Sequence, residues 1–290
     1  MKSTIYLLIP IFIFSCEFNI PKKKDFLPET DYIEAGLAAD NVWMIVNGEK
    51  ENRNEIVFGE RVEVIFNAVS GFQREEGIAY PGLKMVIVSA SESDTLFFSE
   101  NVLADQMQGL EDDPLKLEAF FVNILPVGNY KAYIKAFDIR SSAYLTYDMP
   151  FEVIKNDRIS VVEFGLKRKN VYLWDETKGE IIADNIVTVD NKTSLVLEGL
   201  EGFKDFDSIV FPKFSVKLTD NKDNIIINEE NILSQYEETG ASIVAVTQQV
   251  STFLNFERGE LNNPYKLEAT ILDSKSGKKI DVVTFLNLAN

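Results

Sequence analysis

The chain has 290 residues and a formal net charge of −17, from 29 basic and 46 acidic residues, and it contains no histidine. This charge argues against nucleic acid as a partner, because phosphate binding needs a positive surface. The lack of histidine excludes Ser-His-Asp triads and histidine-based zinc sites. Apolar residues at 46% exclude disorder for most of the length.

The first sixteen residues are typical of a secretory signal. Lys2 gives a short positive segment, and the apolar run that follows would rise only about 15 Å as a helix, roughly half a bilayer. The run ends in Ile13-Phe14-Ser15-Cys16. These four residues resemble the lipobox of bacterial envelope lipoproteins, in which an aliphatic, a variable and a small residue precede cysteine. Phe14 is bulkier than the usual residue at its position.

The lipobox resemblance implies cleavage before Cys16 and acylation of that cysteine, the only one in the chain. In such lipoproteins the cysteine carries a diacylglycerol and usually an N-acyl group, and several acyl chains make a stable anchor. Glu17 stands where aspartate commonly signals inner-membrane retention, so we expect the outer membrane. We predict a signal peptide over 1–15 and a lipidated N-terminus and tether over 16–32. A buried structural cysteine and plain secretion are the alternatives.

An internal repeat organises the rest of the chain, because sliding the sequence against itself by about 129 residues gives ordered matches. The matching segments keep their order and residue types: Glu34-Ala35-Gly36-Leu37 with Glu163-Phe164-Gly165-Leu166, Gly71-Phe72 with Gly202-Phe203, and Glu100-Asn101-Val102-Leu103 with Glu230-Asn231-Ile232-Leu233. The repeat predicts two related domains, over 33–161 and 162–290.

Short runs with alternating apolar residues fill both copies. Residues 130–138 and 265–273 alternate in this way, and Val62, Val64, Phe66 and Ala68 are expected on one strand face. One segment per copy, 101–110 and 231–236, is expected to form a short helical crossover. The absence of longer helical patterns predicts an all-β chain of two tandem antiparallel β-sandwich, immunoglobulin-like domains.

Residues 128–130 resemble the Gly-x-Tyr start of a late strand in immunoglobulin-like and fibronectin-like sandwiches, where the tyrosine fixes a corner by hydrogen bonding. Tyr265 stands at the matching place, with Asn263 where the glycine would be. The paired cysteines of antibody domains are missing. The resemblance implies the fold class and no function.

Several residue groups are weighed as sites. Calcium is the metal that carboxylates and carbonyls favour, and its candidates are 111–113 and 220–224, although solvated turns are the preferred interpretation. The Gly-Phe pairs that recur in both copies are interpreted as structural, with glycine for an unusual backbone angle and phenylalanine as a core plug. Tyr144 and Tyr147 are candidates for stacking on sugars or peptides, or for a partly buried strand.

No catalytic, cofactor-binding or metal-ligating residue is predicted, and no cofactor. The expected function is therefore a membrane-anchored, non-catalytic binding or scaffolding lipoprotein with a protein or glycan partner in the envelope. One alternative is a carbohydrate-binding surface lipoprotein. Another is a glycoside hydrolase that uses paired carboxylates. Partner identity, oligomeric state and membrane face stay open at this point.

Overall fold

The structure, a computed structural model, describes residues 30–104, 109–256, 258–259 and 261–290. Cys16 and the predicted signal peptide lie outside the described residues. Within them the regular secondary structure is almost entirely β-strand, folded as two β-sandwiches that follow one another along the sequence. No helix in these described ranges is long and apolar enough to cross a membrane.

The first sandwich is built from twelve strands. In chain order these are β1 (Asp31–Ala35), β2 (Asn41–Val46), β3 (Glu49–Glu51), β4 (Glu55–Val57), β5 (Arg61–Val69), β6 (Arg74–Glu75), β7 (Ile78–Ala79), β8 (Pro81–Ser89), β9 (Thr95–Ser99), β10 (Leu115–Val122), β11 (Gly128–Asp138) and β12 (Tyr144–Ile154). The larger sheet has the order β1-β12-β11-β8-β9, and β4 runs parallel to β12 at its side. The smaller sheet has the order β10-β5-β2-β3, and β6 pairs with β7.

The second sandwich follows the same plan. Its strands are β13 (Ile159–Phe164), β14 (Asn170–Asp175), β15 (Glu180–Ile182), β16 (Ile186–Thr188), β17 (Thr193–Glu198), β18 (Ile209–Val210), β19 (Pro212–Thr219), β20 (Ile225–Glu229), β21 (Ala241–Ser242), β22 (Gln249–Leu254), β23 (Tyr265–Asp273) and β24 (Lys279–Ala289). The larger sheet is β13-β24-β23-β19-β20 with β16 parallel to β24, and the smaller is β15-β14-β17-β22.

The two sandwiches therefore share one strand order, down to the short parallel strand beside the long last strand. This confirms the predicted all-β fold of two tandem sandwiches related by a repeat. The pairing of β13 with β24 begins at Ile159. Residues 159–161 thus belong to the sheet of the second sandwich, although the sequence pattern assigned them to the end of the first domain.

Burial follows the predicted alternation along β11 and β23, whose alternate residues from 132 to 138 and from 265 to 273 are buried. The prediction fails at Ala68, which is half-buried with a φ of +54°, whereas Val69 is fully buried. The pairing of β10 with β5 shifts register at this point. A β-bulge at this point therefore turns the side chain of Val69, and not that of Ala68, into the core.

The corner tyrosines make the hydrogen bonds that the resemblance implies. The Tyr130 hydroxyl donates to the carbonyl of Pro126 at 2.7 Å. In the second sandwich the Tyr265 hydroxyl accepts from the N–H of Asn262 at 3.1 Å. Each tyrosine thereby ties the start of its strand to the preceding loop.

The repeated Gly-Phe pairs also have the structural role that the sequence favoured. Gly71 has a φ of +99°, and a Cβ built there would lie 2.1 Å from the carbonyl oxygen of Gly36. Gly202 repeats this arrangement, with a φ of +97° and a distance of 2.7 Å between a Cβ built there and the carbonyl oxygen of Gly165. Phe72 and its counterpart Phe203 pack against their cores.

The helical segments agree in part with expectation. A 3-10 helix spans Ser234–Tyr236, inside the predicted crossover 231–236. In the first copy, residues 105–108 of the crossover lie outside the described residues. An unexpected α-helix, α1 (Ile243–Gln248), follows β21 and buries Val246. Its first four residues, Ile-Val-Ala-Val, are typical of a strand, because β-branched residues have low helix propensity. The burial of Val246 favours the helix against that preference.

The two sandwiches touch each other through the loop between β4 and β5. The rings of Phe58 and Tyr172 lie 5.7 Å apart between centroids. Gly59, with a φ of +92°, approaches the second sandwich so closely that a Cβ would lie 2.2 Å from Cγ2 of Ile181. Glycine at this position therefore permits the contact between the domains.

Candidate interaction surface

The free edge of the first larger sheet, β9, exposes three large apolar side chains. Leu96, Phe97 and Phe98 are 44%, 39% and 54% exposed, and within the described ranges no strand pairs with the outer side of β9. Natural proteins usually shorten, charge or cover such edges to prevent unwanted pairing. We call these three residues the β9 edge.

The register of the sheet extends the β9 edge into an aromatic face on its outer side. Phe98 lies opposite Val86, and Val86 lies opposite Tyr133 on the next strand. Tyr144 stands on the same outer face, because its neighbours along β12, Leu145 and Tyr147, point into the core. We call Phe98, Tyr133 and Tyr144 the aromatic face.

A lysine ammonium lies over each ring of the aromatic face. The three pairs have Nζ-to-centroid distances between 4.2 and 4.8 Å: Lys84 over Phe98 at 4.8 Å, Lys131 over Tyr133 at 4.6 Å, and Lys135 over Tyr144 at 4.2 Å. Cation–π contacts of this kind are worth about 0.5–1 kcal/mol at exposed sites. The surface therefore joins apolar area with positive charge on an otherwise acidic protein.

Carboxylates border this face and set its local charge. The Tyr133 hydroxyl donates to Glu92 at 2.5 Å, and this hydrogen bond is the main cause that raises the pKa of Tyr133. Asp148 lies 3.4 Å from the Lys131 ammonium. Partial burial raises the pKa of Asp148 against the opposing effect of Lys131. The phenol of Tyr133 therefore stays protonated at neutral pH.

The second sandwich lacks the aromatic face. At the equivalent register it places Asn228 and Glu268 on either side of Lys217, and Lys279 at the start of its last strand. Its edge strand β20 still exposes Ile225 and Ile226, which are 59% and 47% exposed. The apolar edge is thus common to both copies, whereas the rings are specific to the first.

The calcium candidates are turns that their own chain stabilises. Arg74 donates to the carbonyls of Glu111 and Asp112 and lies 3.4 Å from the carboxylate of Asp113. Asp220 accepts four hydrogen bonds, two of them from Asn224, whose side chain is the main cause that lowers the pKa of Asp220. No group of three metal-ligating side chains occurs in the described ranges.

The two tyrosines weighed for sugar stacking separate in the structure. Tyr147 is 1% exposed and packs edge-on against Phe66 at 6.1 Å between ring centroids. It belongs to the core and is not a binding residue. Tyr144 lies on the aromatic face beneath Lys135, so one member of the pair remains a candidate.

A cleft between the sandwiches is lined by three carboxylates, Asp175, Glu180 and Asp184, which bear on the hydrolase alternative. Asp175 is 3% exposed and accepts from the N–H groups of Thr177 and Lys178 at 2.9 and 3.0 Å. Glu180 pairs with Lys178 at 3.3 Å, and Asp184 accepts from its own turn. Each of these acids has a structural contact, which favours structural roles for them.

The sequence reasoning missed the β9 edge. Thr95-Leu96-Phe97-Phe98 contains a continuous apolar run, which periodicity alone interprets as buried. The signal that points to an edge is the flanking charge, with Asp94 before the run and Glu100 after it.

No protein-family model and no curated protein matches the sequence. Among solved structures, the C-terminal domain of Wzt is similar at 12% identity and a TM-score of 0.34, covering 44% of this chain and 80% of that one. The chicken CNTN1 FN1-FN3 domains match at 11% identity with a TM-score of 0.25, covering 87% of this chain and 65% of that one. Fibronectin(III)-like modules of Clostridium thermocellum CbhA match at 9% identity with a TM-score of 0.20, covering 85% of this chain and 95% of that one. These low scores place the chain in no family.

Proposed function

We propose that the protein is a lipid-anchored envelope lipoprotein that binds a protein partner without catalysis. The observation that carries the binding role is the β9 edge with its adjoining aromatic face, where exposed apolar side chains and lysine ammonium groups form one surface. Exposed apolar patches and unpaired strand edges are the features that proteins use for recognition. The first sandwich would therefore provide the recognition surface.

The anchoring part of the proposal is supported by the lipobox-like segment Ile13-Phe14-Ser15-Cys16. Acylated Cys16 would hold the chain at a membrane, with the outer membrane favoured by Glu17. The predicted tether 16–32 overlaps the first strand, because β1 begins at Asp31 and pairs with β12. Residues 16–30 would therefore act as the tether, whose coil would span roughly 21 Å. The second sandwich would then serve as a spacer or a further scaffold.

A glycan partner is the second candidate, because Tyr133 and Tyr144 offer aromatic rings. Sugars stack on open ring faces. Here Lys131 and Lys135 lie over those faces, so a sugar would have to displace both ammonium groups. A protein partner instead uses the apolar edge and the lysines as they stand.

The binding role can be tested by photo-crosslinking in the native envelope. A photoreactive phenylalanine analogue replaces Phe98 in one sample and Phe285 in the other, since both side chains are 54% exposed. We expect a specific protein adduct from position 98 and none from position 285. A carbohydrate adduct at position 98 would favour the glycan candidate. Equal labelling at both positions, or none at position 98, would contradict the proposal.

The anchor can be tested separately with Cys16→Ala. We expect this variant to leave the membrane fraction or to accumulate with its leader uncleaved. Fractionation identical to that of the unchanged chain would contradict lipid attachment.

A further inference from the structure

A cleft of about 510 Å³, separate from the one that holds Asp175, lies between the two sandwiches. Apolar side chains from both domains line it. Phe58 and Leu125 come from loops of the first sandwich, Ile154 ends its last strand, and Val171 and Tyr172 come from β14 of the second. A volume of this size matches the range of small-molecule sites, which often form at domain boundaries.

Three of the four charged side chains that line the cleft are basic, which is unusual on a chain with a net charge of −17. Lys155, Arg168 and Lys169 line it together with one carboxylate, Asp157. None of the three cations lies within ion-pair distance of a carboxylate in the described part of the chain. Arg53, in contrast, pairs with a glutamate at 2.8 Å. The cleft is therefore a local positive site.

Arg168 has a donor that the protein does not satisfy. Its Nε is buried and has no hydrogen-bond acceptor among the described residues. Its one hydrogen bond to the described residues runs from Nη1 to the carbonyl of Lys169 at 3.5 Å, the limit for such a bond. Burying the Nε–H without an acceptor is costly, and the weak Nη1 contact leaves the Nη–H groups of this guanidinium for an acceptor from a ligand.

The other polar groups of this wall are already engaged. The Tyr172 hydroxyl donates to Glu198 at 2.6 Å, and the Asn170 amide donates to the same carboxylate at 3.2 Å. The Asn156 amide donates to the carbonyl of Ala183 at 3.3 Å. Among the described residues of the cleft, Arg168 is therefore the less exposed donor that is left for a ligand, and the exposed Lys155 and Lys169 add charge.

We infer that this cleft binds a small amphipathic anion, a compact apolar body that carries one carboxylate, sulfonate or phosphate group. The anionic group would accept the Nη–H groups of Arg168, since guanidinium and oxyanions form charge-assisted hydrogen bonds. The apolar body would lie against Phe58, Leu125 and Val171. The site is separate from the β9 edge and goes beyond the proposed function, so either can fail without the other.

The probe that tests this is 8-anilinonaphthalene-1-sulfonate, which joins an aromatic body to one sulfonate. Its neutral counterpart is N-phenyl-1-naphthylamine, which keeps the aromatic body and lacks the charge. Titrations use the chain lacking residues 1–16, because both buried cores lie between Leu37 and Leu288 and stay complete. Fluorescence then gives a dissociation constant for each probe.

We expect Arg168→Gln to raise the dissociation constant of the sulfonate probe at least roughly tenfold, which corresponds to about 1.4 kcal/mol. The dissociation constant of the neutral probe should change by no more than about twofold. Val127→Asp should act in the same direction, because Val127 is 57% exposed at the cleft and can be replaced without opening a core. The matched control is Arg140→Gln, an arginine on the first sandwich outside this cleft, which should leave both constants unchanged.

Competition with two carboxylates identifies the source of the ligand. Displacement of the sulfonate probe by octanoate supports a lipid-derived acid, and displacement by benzoate supports a soluble aromatic acid. The inference is overturned if the unchanged chain does not bind the sulfonate probe, or if neither carboxylate displaces it. It is also overturned if Arg168→Gln changes the affinities for the two probes equally, or changes neither. Probe bound only at the β9 edge would give the last result.

Discussion

The carboxylate of Asp138 accepts a hydrogen bond from the backbone N–H of Gln73 at 2.8 Å, across 65 residues of sequence. Asp273 repeats this contact in the second sandwich with the N–H of Lys204 at 2.8 Å, across 69 residues. Both carboxylates are almost fully buried and also accept from their own turns. Each aspartate therefore fastens the loop that follows a Gly-Phe pair to the end of a core strand.

Asp138→Asn should destabilise the first sandwich by about 2 kcal/mol, because hydrogen bonds to a charged partner contribute about 1.5–3 kcal/mol. Asp273→Asn should do the same to the second. Each domain has one tryptophan, Trp43 and Trp174, so urea unfolding followed by fluorescence in single-tryptophan variants reports the domains separately. The exposed Asp112→Asn is the control. Equal effects of Asp112→Asn and Asp138→Asn would contradict the fastening role.

Gly71→Ala should destabilise the first sandwich by more than about 2 kcal/mol, because the new Cβ meets the Gly36 carbonyl oxygen at 2.1 Å and the backbone has a φ of +99°. Gly77→Ala is the matched control, with a φ of +86° and no atom within 4 Å of its Cβ. It should cost only the left-handed strain, about 1 kcal/mol. Thermal unfolding of both variants checks the difference, and equal costs would show that the clash with Gly36 is relieved.

Alkaline pH should weaken the second sandwich through Tyr172. Burial, and then donation to Glu198, raise the pKa of Tyr172 above its ordinary value of 10.0. A pKa raised by folding gives stability that is present below the unfolded pKa and is lost as the pH rises toward the folded pKa. The free energy of unfolding should therefore decline above about pH 10.

Urea unfolding at a series of alkaline pH values tests this decline. Tyr172→Phe should flatten it, while Glu198→Gln should keep part of it, because burial is the larger cause. The same alkaline slope in Tyr172→Phe and the unchanged chain would assign the loss to other groups.

The second sandwich should fold alone, and its stability should depend on where the fragment begins. Residues 155–290 include all of β13, whereas 162–290 lacks Ile159, which is buried in the second core. Burial of one such side chain is worth about 2 kcal/mol. Circular dichroism should show β-structure for both fragments, with the longer one unfolding at higher urea. Equal midpoints would show that β13 contributes little.

The sequence pattern predicted the strands that bury one face, because the apolar residues of such a strand must recur at every second position. The runs ending at Asp138 and Asp273 are of this kind. The bulge at Ala68 could not be predicted, since a positive φ at alanine has no signal in residue type. The exposure of Phe97 and Phe98 depends on which strand lies at the sheet edge, which long-range pairing decides.

The cleft between the sandwiches was not predictable from periodicity for the same reason. It depends on how closely Phe58 of the first sandwich approaches Tyr172 of the second, and neither residue type indicates that contact. Arg168 and Lys169 are adjacent in the sequence, but Lys155 joins them, and their lack of ion pairs emerges, only in the three-dimensional arrangement. The lipobox resemblance, in contrast, rests on four consecutive residues and can be read without any fold.

Mass spectrometry of the N-terminal peptide from the native protein tests the central claim, anchoring through Cys16, most directly. The account predicts that the mature chain begins at Cys16 and that this residue carries a diacylglycerol and an additional fatty acid. A mature chain that begins elsewhere, or a Cys16 without any acyl group, would contradict it.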